Sequence, residues 1–199
     1  MNLLISDPPQ ELTVDGIVYP INAHYRNCLV ILRAFEDSRL TDYEKRQVML
    51  NRLFGKDNVP PNKEKAAEAA TDFLNCGEEL KESKSGRLYS FSHDAKYIRS
   101  AIEKSHRINL EEVGFLHWWK FIYLFFDLDD NCFFNQLVSL RQRRKHPKSL
   151  TKEEKRYIEE NSDIINLPEP EQGEIQSDPV MEEFEARYKA TMERMNGGG

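Results

Sequence analysis

The chain has little of what enzymes and membrane proteins usually display. No apolar run reaches the ~20 residues that a bilayer-spanning helix needs. There is no glycine-rich phosphate loop, no HExxH and no CxxC, which removes the commonest nucleotide and zinc signatures. Cysteine is scarce: Cys28, Cys76 and Cys132 form an odd set without short spacing. They read as free thiols of a reducing compartment. Positive charge is in the minority. The net charge is −6 and the pI about 5.5, which speaks against a dedicated nucleic-acid binder. Met1 to Ile5 carry no basic residue and run straight into Ser6-Asp7-Pro8-Pro9, so no signal peptide is expected. The carboxylate pairs Glu111/Glu112 and Asp129/Asp130 fall where cap and turn chemistry accounts for them. No catalytic, cofactor-binding or metal-ligating residue is nominated, and the expectation is a non-enzymatic protein of the cytosol.

What is present is one aromatic stretch, Val113 to Phe126, which holds both tryptophans of the chain. It is apolar nearly all round, as buried helices are. The spacing predicts a central helix over 110–126, launched by Asn109 with Glu112 three residues on. Before it, Asp15-Gly16 signals a hairpin within about 10–21, with Leu12, Val14, Ile17 and Tyr19 on one face. Asn22 is placed to cap a helix through Glu36. Thr41-Asp42-Tyr43-Glu44 is a capping box, and Gly55 ends that helix. Pro60-Pro61-Asn62 opens an alanine-rich helix with Ala66, Ala70, Phe73 and Leu74 inward, stopped by Gly77. Residues 77–87 form a polar loop expected to be mobile. Ser92 is expected to cap a short helix with Tyr97, Ile98, Ala101 and Ile102 inward. Phe133, Phe134, Leu137, Val138 and Leu140 share a helix with a basic end, and Thr151 caps one more. Ile164, Ile165 and Leu167 are expected to pack back on the core.

Residues 1–168 thus read as one helical domain with a short hairpin. An acidic linker, 169–178, follows, and Asp178-Pro179 starts a last amphipathic helix within 179–199. The fold class is mainly α.

Four features carry a functional question. His117, amid large apolar groups, suits a satisfied structural histidine, a partner contact or a ligand, but it has no ligand-like neighbour at helical spacing. Trp118 and Trp119 point about 100° apart on a helix. At least one belongs in the core; the other is open as an interface anchor. The basic run Arg141, Arg143, Arg144, Lys145, Lys148, Lys152, Lys155 and Arg156 reads as a solvated helix face, with a protein or nucleic-acid partner as alternatives. From Tyr157 through Ala186 there are ten acidic residues and no Lys or Arg, a segment able to screen it. The stripe Met181, Phe184, Tyr188 and Met192 is the best candidate for partner binding, since Met and aromatics suit adaptable grooves. Docking onto its own domain is the competing reading.

The run from Asn109 to Phe121, with Leu116-His117-Trp118-Trp119-Lys120-Phe121 at its centre, resembles the bacteriophage gene product fifteen family of siphophage tail-morphogenesis proteins. Asn2-Leu3-Leu4, Val14-Asp15-Gly16 and Tyr89-Ser90-Phe91-Ser92-His93-Asp94-Ala95 extend the likeness, which fades near Leu167-Pro168. The resemblance implies a tail-assembly chaperone, encoded beside the tape-measure gene and acting in the host cytoplasm. Its client would be the tape-measure protein. Other tail chaperones, tube proteins or a second copy are further partners. A minor component retained in the tail is the alternative; a DNA-binding regulator is the third reading. No cofactor, membrane or nucleic-acid partner is implied, and no family role passes to 169–199.

Overall fold

Asp15 and Gly16 both adopt positive φ, 51° and 80°, as a two-residue type I′ turn demands. They join β1 (Glu11–Val14) to β2 (Ile17–Pro20) in the expected register, Leu12 opposite Tyr19 and Val14 opposite Ile17. A computed structural model describes residues 3–78, 87–145 and 150–168. Among these, the hairpin is joined by eight helices. The chain is mainly helical, as its periodicity indicates.

α1 (Tyr25–Glu36), α2 (Asp42–Phe54) and α3 (Lys63–Leu74) pack in succession. Thr41 and Glu44 make both bonds of the capping box on α2. Asn62 caps α3, and its side-chain amide also donates to Asp15, tying the hairpin turn to that helix start. Ala66, Ala67 and Ala70 are buried, so α3 approaches its neighbours closely. Val14 is buried against this layer, whereas Ile17 at the hairpin tip is exposed.

An extended piece, Leu88 to Phe91, runs buried to α4 (Ala95–His106). Then follow α5 (Trp118–Phe126), α6 (Phe133–Arg144), α7 (Lys152–Glu160) and α8 (Ser162–Ile165). Residues from α1 to α5, with Phe134 and Val138 of α6, form the main core. Leu137, Leu140 and Ile165 form a second, smaller one, with Ile158 and Ile164 packed on it.

Several expected starts move. The central helix is Trp118–Phe126, not 110–126. Asn109 closes only a turn, with Glu112 and Val113 N–H on its carbonyl. Gly114 disfavours helix by about 1 kcal/mol relative to alanine, and Leu116-His117 is extended because it pairs with the chain ahead of α1. For the same reason α1 starts at Tyr25, capped by His24 rather than Asn22. Ser92 does not cap α4: its N–H goes to Glu36, and the helix begins after Asp94. Phe133, grouped by sequence with Phe134, Leu137, Val138 and Leu140, is 44% exposed, whereas those four are buried. The loop 77–87 lies mostly outside the described residues, as do the linker 169–178 and the segment 179–199.

Candidate functional site

Three helix ends meet at the aromatic signature. Ala23-His24-Tyr25 and Leu116-His117-Trp118 lie side by side as an isolated antiparallel bridge between the two histidines. Tyr25 N–H donates to the Leu116 carbonyl at 2.9 Å, and Trp118 N–H donates to the Ala23 carbonyl at 2.8 Å. Each helix start thus satisfies the other's first orphan donor. Each histidine also caps its own helix through Nδ1, which accepts from Arg26 N–H and from Trp119 N–H, both at 3.1 Å. Nε2 of His117 donates to the Pro9 carbonyl at 2.9 Å. With Nδ1 accepting and Nε2 donating, the ring is the neutral Nε2–H tautomer. Burial holds its pKa below the ordinary histidine value, partly opposed by the Pro9 carbonyl. Both ring nitrogens of His117 are therefore engaged in holding the chain.

The paired tryptophans have one structural task. Trp119 Nε1–H donates to the Phe73 carbonyl at 2.7 Å, and Trp118 Nε1–H donates to the Leu74 carbonyl at 2.9 Å. These are successive carbonyls at the end of α3, where i+4 partners run out; the Phe73 carbonyl also accepts from Cys76 N–H at 3.0 Å. Adjacent residues can reach adjacent carbonyls because α5 starts across the end of α3. Gly77, at φ +68°, lets the chain leave beneath Trp119, whose ring would lie 3.4 Å from a side-chain carbon there. Leu116, His117, Trp118, Trp119 and Phe121 are buried and Lys120 is exposed. Phe115 beside them is 57% exposed, against the His24 ring.

The basic run is not one face. Arg141 is buried and paired with the fully buried Asp94. Its five N–H groups go to both Asp94 oxygens and to the carbonyls of Leu88, Ile164 and Ile165, at 2.6–3.1 Å. That clamp joins α4, α6 and α8. Arg143 pairs with Glu154 and Arg156 with Glu160, and Arg144 bonds the side chain of Asn166. The reading of Arg141 as part of a solvated face is thus corrected. A continuous phosphate-binding track, which needs outward cations, loses its first member. No spacing rule could have paired Asp94 with Arg141, since 47 positions separate them.

The open surface lies elsewhere. A cleft of about 610 Å³ separates α6 from α7, lined by Phe133, Leu137, Leu140, Arg143, Glu154 and Tyr157 among others. Phe133 and Tyr157 stand at its lips, 44% and 39% exposed. The sequence reading missed it, having grouped Phe133 with the other apolar residues of its helix. The nominated partner-binding residues Met181, Phe184, Tyr188 and Met192 fall outside the described residues. All three cysteines are free; burial pushes the Cys28 and Cys76 thiols well up from their ordinary range. Among the described residues, no group of three or more His, Cys, Asp or Glu is placed to hold a metal ion, and no helix is long and apolar enough to cross a membrane.

Fold and junction together define a mainly helical protein with an N-terminal hairpin, knitted at one meeting point of α1, α3 and α5. The chain belongs to the bacteriophage Gp15 protein family, whose model matches residues 5–167, and is therefore a phage-related protein. No curated protein and no solved structure matches it.

Proposed function

We propose that this chain is a non-enzymatic tail-assembly protein that chaperones the tape-measure protein of a long-tailed phage in the host cytoplasm. Family membership carries the proposal. The surface is in keeping with it. Phe133 and Tyr157 offer apolar area across an open cleft, where a client helix would be covered by many modest contacts. Affinity differences between related complexes reside mostly in the off-rate, and such contacts suit a client that must later be released to the growing tube.

Co-expression tests it. The tape-measure protein should stay in the soluble fraction with this chain and precipitate without it. Equal precipitation in both cases refutes the chaperone role. Mass spectrometry of purified virions addresses the alternative: presence in fixed stoichiometry assigns the chain to the finished tail instead.

A further inference from the structure

α7 buries none of its nine residues. A helix that short does not persist on intrinsic propensity alone. Ile158 leans on Leu137, Leu140 and Ile165, but Tyr157 faces Phe133 across a cleft that no described residue fills. On α6, Phe133, Leu137 and Leu140 follow one stripe at the i, i+4, i+7 spacing of a helix-packing face. Arg143, in the last turn of α6, pairs with Glu154 in the first turn of α7, so α7 turns back along α6. Two helices so arranged, with an apolar seam between them, have the form of a bundle lacking its third member.

We propose that residues 179–195 of the same chain are that third member, with the stripe Met181, Phe184, Tyr188 and Met192 set against Phe133 and Tyr157, the exposed lips above the buried Leu137 and Leu140. The described chain stops at the right place. Asn166 is bonded to Arg144, the neighbour of cleft-lining Arg143, so the chain departs from the end of the cleft. The linker 169–178 reaches up to ~33 Å at ~3.3 Å per residue. α6, with 12 residues, is ~18 Å long at 1.5 Å per residue, so the linker more than covers the distance. Tethering at that range gives millimolar effective concentration, enough for modest contacts to hold. Charge does not oppose the fit. The cleft rim carries both signs, Arg143 and Arg156 with Glu153 and Glu160. The segment carries both as well, Glu182 and Glu185 with Arg187 and Lys189. The segment covers the cleft of the free chain, and a client helix that takes the same lips, Phe133 and Tyr157, displaces it.

The test uses the full chain with Cys132→Ser, which puts a hydroxyl oxygen where Cys132 Sγ caps α6 by accepting from Asn135 N–H. Ser139→Cys, on the cleft wall, is combined with Thr191→Cys and treated with a short bismaleimide at micromolar protein. The control pair is Thr13→Cys with Thr191→Cys, on the hairpin that packs on α3 instead. Within-chain cross-linking should be at least about tenfold faster for the cleft pair, and Phe184→Asp with Tyr188→Asp should abolish the difference. Equal rates for the two pairs overturn the proposal. So does a product that joins two chains and grows with concentration, which gives the cleft to a second copy.

Discussion

Arg141→Met is the sharpest perturbation the structure offers. As part of a solvated face, Arg141 would be replaceable within about 0.5 kcal/mol. As the clamp described above, it is not. Methionine retains the apolar stem but leaves Asp94, fully buried, without its guanidinium. It also strips a donor from each of the Leu88, Ile164 and Ile165 carbonyls. Breaking a buried pair by removing one partner costs about 3–5 kcal/mol. The carbonyls add to this, though not additively, because they share one side chain. A loss of about 4 kcal/mol is a large fraction of the roughly 5–15 kcal/mol that stabilises a typical protein. For a chain of this size it lowers Tm by roughly 8–16 °C. Urea titration followed by far-UV circular dichroism measures it. The second arm is Asp94→Leu with Arg141→Met. If the stranded carboxylate is the main cost, the double variant is more stable than Arg141→Met alone. A single variant within about 1 kcal/mol of wild type, or a double variant that is less stable than the single, refutes the reasoning.

Two further outcomes follow from the junction. Trp119→Phe and Trp118→Phe each remove an indole donor from an α3 carbonyl and should each cost about 1–3 kcal/mol in the same titration, while exposed Lys120→Ala should stay within about 0.5 kcal/mol. His117 has its pKa lowered in the folded state by burial, so unfolding takes up a proton once the pH drops below the unfolded value of about 6.5. Its contribution is complete above that pH and is lost as the pH falls towards the lowered folded value. His117→Asn keeps an N-cap acceptor without the titration, and should show a smaller stability loss between pH 7 and pH 5; an unchanged pH profile contradicts the buried neutral ring.

Local chemistry was legible in the sequence and long-range pairing was not. Asp15-Gly16 gave the turn and register of the hairpin, because a two-residue turn leaves no other choice. The capping boxes at Thr41 and Thr151 and the cap at Asn62 stand where their side chains reach their own backbone. The misplaced starts of α1 and α5 have one cause. Each is set by a partner strand remote in sequence, and histidine is not among the usual N-cap residues. Yet both tripeptides read apolar, histidine, aromatic, a repeat that a search for domain-sized periodicity passes over. The signature residues were recognisable by composition, but their role came from the α3 carbonyls. Arg141 looked like its basic neighbours because its partners, Asp94 and the Leu88, Ile164 and Ile165 carbonyls, are all remote in sequence.

The placement of the two indoles also fixes what this protein can report about itself. Both are buried and hydrogen-bonded to the same helix end, and neither lines the cleft between α6 and α7. Tryptophan emission is therefore a gauge of the α1–α3–α5 junction. A ligand settling on Phe133 and Tyr157 should leave its wavelength unmoved while the fold is intact, so an emission shift on adding a partner would signal a loosened junction rather than an occupied cleft.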